Sequence, residues 1–174
     1  SVKAIYYKDS WNMSLIADLR INNQCIRVIN NHFETTNVNA YRGIITAPDK
    51  SLKIRAKAVK NLILQMKDNN RKRAIQADSI HAEIQRSPYP VIVCGDFNDT
   101  PISYAHRTIQ GPLKDAYAAS GRGVGVTYNE NFFWFRIDNI LHSANMKPIN
   151  CTVDKVRYSD HYPLWCYLQL KEND

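Results

Sequence analysis

The residues of this chain that could do chemistry sit where short apolar runs end. Val91-Ile92-Val93-Cys94 runs into Gly95-Asp96-Phe97-Asn98, so a carboxylate and a carboxamide, two positions apart, follow a buried-strand pattern. Pro88 and Pro90 mark the start of that run and Gly95 its end. If the backbone stays extended, both side chains face the same way. There they could hold a proton, a metal-bound water or a phosphate oxygen. A strand closed by an Asx-turn accounts for the same two residues equally well, since both are ordinary turn formers.

Three other places repeat the pattern. His32 follows the strand-like run 25–31, Asp138 interrupts an apolar stretch around 135–141, and Asp160-His161 precedes the run 164–170. A buried carboxylate needs a partner. His161 is the candidate for Asp138, because an Asp behind a His fixes its tautomer and raises its basicity. One His at a strand end is more often structural than functional. Two His, three Asp and one Asn at strand ends are too many for core packing. No GxSxG is present, and no cysteine has a nucleophile signature. Gly121-Arg122-Gly123-Val124-Gly125 is not a phosphate loop, since no Lys-Ser/Thr follows it. An oxygen-rich set with little histidine suits Mg²⁺ or Mn²⁺ better than zinc. A hard divalent ion with Asp and His acid–base groups is the apparatus of phosphate-ester hydrolysis by an activated water.

The elements that must position these residues are legible in outline. Segments 2–7 and 14–21 read as strands, and Asn22-Asn23 as the turn of a hairpin to 25–31. Segment 34–48 has no clear period and reads as a loop. Ser51 is an N-cap candidate for Ile54, Ala58, Val59, Leu62, Ile63 and Met66, which keep helical spacing. Asp68-Asn69-Asn70 interrupts that spacing before Ala74, Ala77, Ile80 and Ile84 resume it, which gives one kinked helix or two ending at Ser87-Pro88. A strand over 91–95 follows, then a short turn or helical turn to 109. Segment 113–117 is equally readable as strand or helix. Strands then fall at 136–141, 149–156 and 164–170. Hairpin, long helix, buried strand and late strands make a mixed α/β arrangement with helices covering a sheet, and one domain over 1–174 is the simplest account.

The chain has 174 residues, 44% hydrophobic and 22% charged, as expected for a globular domain with a core. No run approaches a membrane span, and no leader pattern opens the chain. Cys25, Cys94, Cys151 and Cys166 form no CxxC pair and read as buried free thiols, which favours a reducing compartment. The net charge of +7 is concentrated. Positions 50–86 hold ten Lys/Arg against three Asp/Glu, a surplus equal to the whole excess. A basic helical surface suits a polyanion such as nucleic acid or an acidic membrane, although a solvated helix face is the commoner meaning of such a run. Arg73 could reach a phosphate, but a solvated helix face is its default reading. The run Phe132-Phe133-Trp134-Phe135 could stack a base or rest on lipid at a substrate rim, but core beside 136–141 is the preferred reading.

Asn31-His32-Phe33, Gly95-Asp96-Phe97-Asn98, Arg136-Ile137-Asp138-Asn139-Ile140-Leu141 and Ser159-Asp160-His161-Tyr162-Pro163, in this order, resemble the endonuclease/exonuclease/phosphatase superfamily. That group includes DNase I-like nucleases, AP endonucleases, inositol polyphosphate phosphatases and sphingomyelinases. The resemblance implies a four-layered α/β (α+β) sandwich of two mostly antiparallel sheets flanked by helices. It implies in-line attack of water on a phosphodiester or phosphomonoester, with Mg²⁺ (or Mn²⁺) polarising the ester. His32 would contact the scissile phosphate, and Asp96 would orient or deprotonate the water. Asn98 would hold water or a phosphate oxygen, and Asp160 would help bind the metal. His161 would be general base or phosphate ligand, oriented by Asp138. Nucleic acid, a sugar or inositol phosphate and a phospholipid headgroup all present the phosphate this centre would take.

The resemblance covers about the carboxy-terminal two-thirds of the family domain. The family's principal metal ligand, a Glu in the amino-terminal part, has no counterpart among Glu34, Glu83, Glu130 and Glu172. The expectation is therefore a truncated domain whose isolated activity is low and whose exposed sheet edges want cover, with a complementary amino-terminal fragment as a partner. The alternative function is a non-catalytic phosphate- or nucleic-acid-binding module that kept the pocket without the metal.

Overall fold

A computed structural model describes residues 1–36, 38–130 and 134–170. Strands β1 (Val2–Tyr6), β2 (Met13–Ile21) and β3 (Gln24–His32) form an antiparallel meander. Asn22 and Asn23 close the β2–β3 hairpin with φ of 46° and 61°. Two consecutive left-handed residues match the strands' own twist, and Asn tolerates them better than most side chains do. The chain then crosses over through α1 (Asn39–Thr46) and α2 (Leu52–Gln85) and returns as β4 (Val91–Asp96), parallel to β3. Next come α3 (Tyr104–Gln110), the two-residue β5 (Lys114–Asp115) and α4 (Ala116–Ser120). They are followed by β6 (Asp138–His142), β7 (Met146–Val153) and β8 (Leu164–Leu170). The larger sheet has the order β1-β2-β3-β4-β6-β5, and the smaller is the β7–β8 pair. This is the expected mixed α/β sandwich of two mostly antiparallel sheets with helices; among the described residues β3–β4 is the only parallel pairing.

One face of the large sheet is covered by α2 and α3. Ile16, Ile29, Val93 and Leu141 from the strands meet Ala77, Ile80 and Ile84 from α2 and Ala105 and Ile109 from α3, all buried. Phe33 and Phe97, fully buried with ring centroids 5.4 Å apart, cap this core at the strand ends. Strand alternation sends Ile140 to the other face, where it packs with Ala116 and Tyr117 of α4 and Cys151, Leu164, Cys166 and Leu168 of β7 and β8. The β1–β2 part of that second face is largely open to solvent, although Ile26 of β3, opposite Leu19, is buried. Val2, Tyr6, Leu15, Leu19 and Ile21 are exposed there, with Leu15 opposite Ala4 and Ala17 opposite Val2.

Several expectations need correction. Segment 34–48 is not all loop, because α1 lies within it and packs on α2. It has no side-chain N-cap and contains Gly43, so it lacks the signals that mark a helix start. The Asp68-Asn69-Asn70 interruption does not break or divide α2, which runs 34 residues from a Ser51 cap. Its inner face simply turns polar there: Asn69, Arg73 and Gln76 are buried against segment 34–36. The apolar stripe of the first half is largely exposed, with Ile54, Ile63 and Leu64 each about half accessible. Segment 113–117 is both things proposed, β5 and then the start of α4. The strand expected over 136–141 starts later, at Asp138, because the carbonyl of Phe135 is already taken by the amides of Thr127 and Tyr128. That expected over 149–156 starts earlier, at Met146, with Pro148 inside it. Among the described residues β7 pairs with β8 alone, an edge setting in which proline is tolerated. The four cysteines are free, but only Cys151 is fully buried.

Candidate active site

Three neighbouring strands bring the site residues into one row. Register pairs His32 with Asp96 across β3–β4, and Asp96 with Asp138 across β4–β6. The row lies where β3 and β4 end and β6 begins. Gly95 makes this possible. Its φ is +116°, and any side chain there would collide with the Asn31 carbonyl, so β3 and β4 approach as only glycine allows.

Beyond Asp96 the chain does not stay extended. Asn98 is left-handed (φ 50°), and its N–H donates to Asp96 Oδ1 at 2.7 Å, an Asx-turn. Turn and site are the same structure. The turn swings the Asn98 carboxamide back, so that its Nδ2 donates to Asp96 Oδ2 (2.9 Å) and to the Phe33 carbonyl (2.9 Å). His161 arrives from the loop before β8, held by a bridge to Tyr128 and an edge-on ring contact at 5.2 Å. Its Nδ1 lies 2.8 Å from Asp138 Oδ2. His32 Nε2 stands 3.8 Å from Asp96 Oδ2 on a largely exposed ring.

A cleft of about 580 Å³ opens over this row. His32, Asp96, Asn98, Asp160 and His161 line it, and Asp138 stands behind His161. Six residues spread over 130 positions of sequence are thus gathered at one place. Burial and the charge of Asp138 push the Asp96 carboxyl up to about 6, against the Asn98 N–H and the two imidazoles. The hydrogen bond to Asp138 pushes His161 up, against its partial burial.

Ligating atoms of Asp96, Asp138 and His161 lie within 4.8 Å of one another. As a closed cage for an ion this set fits badly, because His161 Nδ1 is committed to Asp138. As an edge for a hard dication it fits well. Asp160, exposed on the same cleft, adds a carboxylate whose Oδ1 accepts from Ser159, and Mg²⁺ is commonly held by one or two carboxylates plus phosphate and water. Glu34 is turned elsewhere, accepting from Ser10 Oγ at 2.6 Å.

Arg73 is not on a solvated face. It is 2% exposed and borders the cleft, with Nη1 on the Glu34 carbonyl (2.7 Å) and Nε on Asp99 (3.2 Å). Nη1 also reaches Thr36, and Nη2 reaches Asn70. Asn69, Arg73 and Gln76 fall at i, i+4 and i+7, and a polar stripe at helical spacing was the available signal. Of the aromatic run, Trp134 is 65% and Phe135 46% exposed, and Phe135 lines the cleft. That part is rim rather than core; Phe132 and Phe133 lie outside the described residues.

The model of the Endonuclease/Exonuclease/phosphatase family matches residues 3–161. The chain belongs to that family. Among solved structures it is similar to a mannosyl-6-phosphatase of Bacteroides thetaiotaomicron, with 18% identity and a TM-score of 0.57, covering 91% of this chain and 57% of that one. It is also similar to a humanized TDP2 of D. rerio (17%, TM-score 0.65, 97% and 66%). A third is the beta toxin of Staphylococcus aureus (14%, TM-score 0.56, 88% and 56%). Identities this low speak to fold alone. The chain spans between half and two thirds of the length of these structures. No curated protein matches the sequence. Among the described residues no helix is long and apolar enough to cross a membrane.

Proposed function

We propose that the chain is a phosphoesterase, or the larger part of one, that hydrolyses a phosphodiester or phosphomonoester with water and Mg²⁺ or Mn²⁺. The observation that carries this reading is the row His32–Asp96–Asp138, with His161 hydrogen-bonded to Asp138, at one end of a single cleft. In this reading Asp96 takes a proton from the attacking water as the new P–O bond forms. Its raised proton affinity suits that task near neutrality. Asn98 fixes the Asp96 carboxylate in position through its backbone N–H and its Nδ2, leaving its Oδ1 to accept from a water. His161, which Asp138 helps keep protonated, and His32 face the phosphate oxygens. They stabilise the charge that develops as the ester P–O bond breaks and the leaving oxygen departs. Asp160 would hold the divalent ion, which would supply Lewis-acid polarisation of the ester. The printed names of a phosphatase and of TDP2 among the similar structures support a phosphate ester as substrate.

The bare apolar face of β1 and β2 supports one further element of the proposal: a complementary polypeptide carrying the remainder of the family domain seats there. The test of activity is release of p-nitrophenol from bis-p-nitrophenyl phosphate with Mg²⁺, with Mn²⁺ and with EDTA. Metal-dependent turnover that disappears in Asp96→Asn and in His161→Ala is the expected result. Binding of DNA or phosphoinositide without turnover, in this chain and in a complemented one, would overturn it in favour of a binding module.

A further inference from the structure

Beside the cleft lies a second concavity that the proposed hydrolysis does not use. A narrow ribbon separates the two, made of 127–129 flanked by 134–135 and by 160–162. It is tied by Tyr128–Phe135 and Tyr128–His161 bridges and by Tyr162 N–H on the Thr127 carbonyl (2.7 Å). Alternate residues of the ribbon line opposite sides. Tyr128, Phe135 and His161 line the cleft, whereas Asn129, Trp134 and Tyr162 line the groove behind it, of about 870 Å³. Lys155, Arg157 and Tyr158 form the groove's other wall. Trp134 is 65% and Tyr158 95% exposed, and both cations are exposed.

We propose that this groove is a subsite for single-stranded polynucleotide, with Trp134 and Tyr158 stacking bases and Lys155 and Arg157 meeting the phosphates. Exposed flat rings next to cations are what a strand of unpaired bases on a polyanionic backbone requires, because every base has a π-face and every link a charge. Across the cleft, α2 contributes Met66, Asn70 and the buried Arg73 to the opposite wall, and the helix carries eight Lys and Arg against three Asp and Glu. A polyanion running from the groove into the cleft would meet Lys155 and Arg157 first and a helix of net positive charge beyond. A lipid bilayer suits the groove less well. It is concave, and Asn129, Glu130 and Ser159 are in its lining, whereas an interfacial membrane patch presents an apolar face outward.

The proposal rests on the phosphoesterase reading for cleavage but not for binding, and the test separates the two. Fluorescence anisotropy with a fluorescein-labelled twelve-residue oligothymidylate is measured in EDTA, so that no turnover is needed. Trp134→Ala and Tyr158→Ala are each expected to weaken binding about 5- to 10-fold, and Trp134→Phe to restore most of it. An abasic oligomer of equal length should bind more weakly, and the affinity should fall with salt. Circular dichroism verifies the fold of each variant. Equal binding of the abasic and base-bearing oligomers, or unchanged affinity in both alanine variants, overturns the proposal. So does co-sedimentation with phosphatidylserine vesicles that is lost in Trp134→Ala while oligomer binding persists. Oligomer binding of the expected pattern without bis-p-nitrophenyl phosphate hydrolysis, in this chain and in a complemented one, leaves the subsite standing and removes the phosphoesterase reading.

Discussion

Two carboxylates near the ends of strands hold cations, and they do opposite jobs. Asp138, opening β6, holds His161 at 2.8 Å on the wall of a cleft, with both side chains about a quarter exposed. Asp115, at the end of β5, holds Arg136 through two hydrogen bonds of 3.0 and 2.5 Å, with both side chains under a tenth exposed. Asp115 also caps α4, accepting the amides of Tyr117 and Ala118. One pair faces a cavity, and the hydrogen bond to Asp138 makes its imidazole hold a proton more strongly than usual. The other is sealed, and its carboxyl is held below the usual carboxylate range. A carboxylate–cation pair is a functional candidate when its cation can titrate and reach a ligand; a guanidinium shut in beside its partner is framework.

The largest effect expected from this contrast lies in the framework pair. Arg136→Ala leaves Asp115 buried without its main partner and is expected to cost about 3–5 kcal/mol, read by urea denaturation. A loss below about 1 kcal/mol would make the pair dispensable. Asp138→Asn should instead change stability by no more than about 1 kcal/mol, while bis-p-nitrophenyl phosphate turnover falls at least about 100-fold, because the tautomer and charge of His161 lose their support. Equal damage to stability in both variants would erase the distinction.

The smallest effect is in pH dependence, where the pairs differ in sign. Burial pushes Asp115 up, but the Arg136 guanidinium outweighs it and the net is below the usual carboxylate range. Its contribution is therefore present above the ordinary value near ~4 and is lost as acid brings the pH through the lower folded value. His161 is raised in the folded state, so its contribution is full below the ordinary value near ~6.5 and fades as pH rises through the folded one. Denaturation midpoints of wild type and His161→Gln, followed between about pH 5 and 8 without metal, should converge as the pH rises. Divergence would reverse the assignment.

The sequence made one pair legible and hid the other, for a physical reason. Asp138 and His161 stand out because polar groups interrupt apolar runs that periodicity identifies. Asp115 sits in a two-residue strand before a five-residue helix, too short for any period to register. Arg73 was hidden differently: it lies in a basic run, and composition alone cannot tell the buried member of such a run from the solvated ones. The hairpin turn, the Ser51 cap and β4 followed from local chemistry, whereas the gathering of His32, Asp96, Asn98, Asp138, Asp160 and His161 at one place followed from the family resemblance. What local chemistry could not supply was partnership. The apolar stripe of the first half of α2 and that of the second half have the same period, and only the second has a sheet to cover.

That unequal helix bears on where the molecule opens first. From Asn69 onward α2 is fastened by buried contacts, while the turns before Met66 have few and show apolar side chains to water. Local opening requires least free energy where least is buried. The turns before Met66 are therefore expected to open more readily than the β3–β4–β6 row. The α2 residues at the cleft, Met66, Asn70 and Arg73, stand at and beyond that boundary, so the cleft keeps its floor and this wall together when the free end of the helix opens.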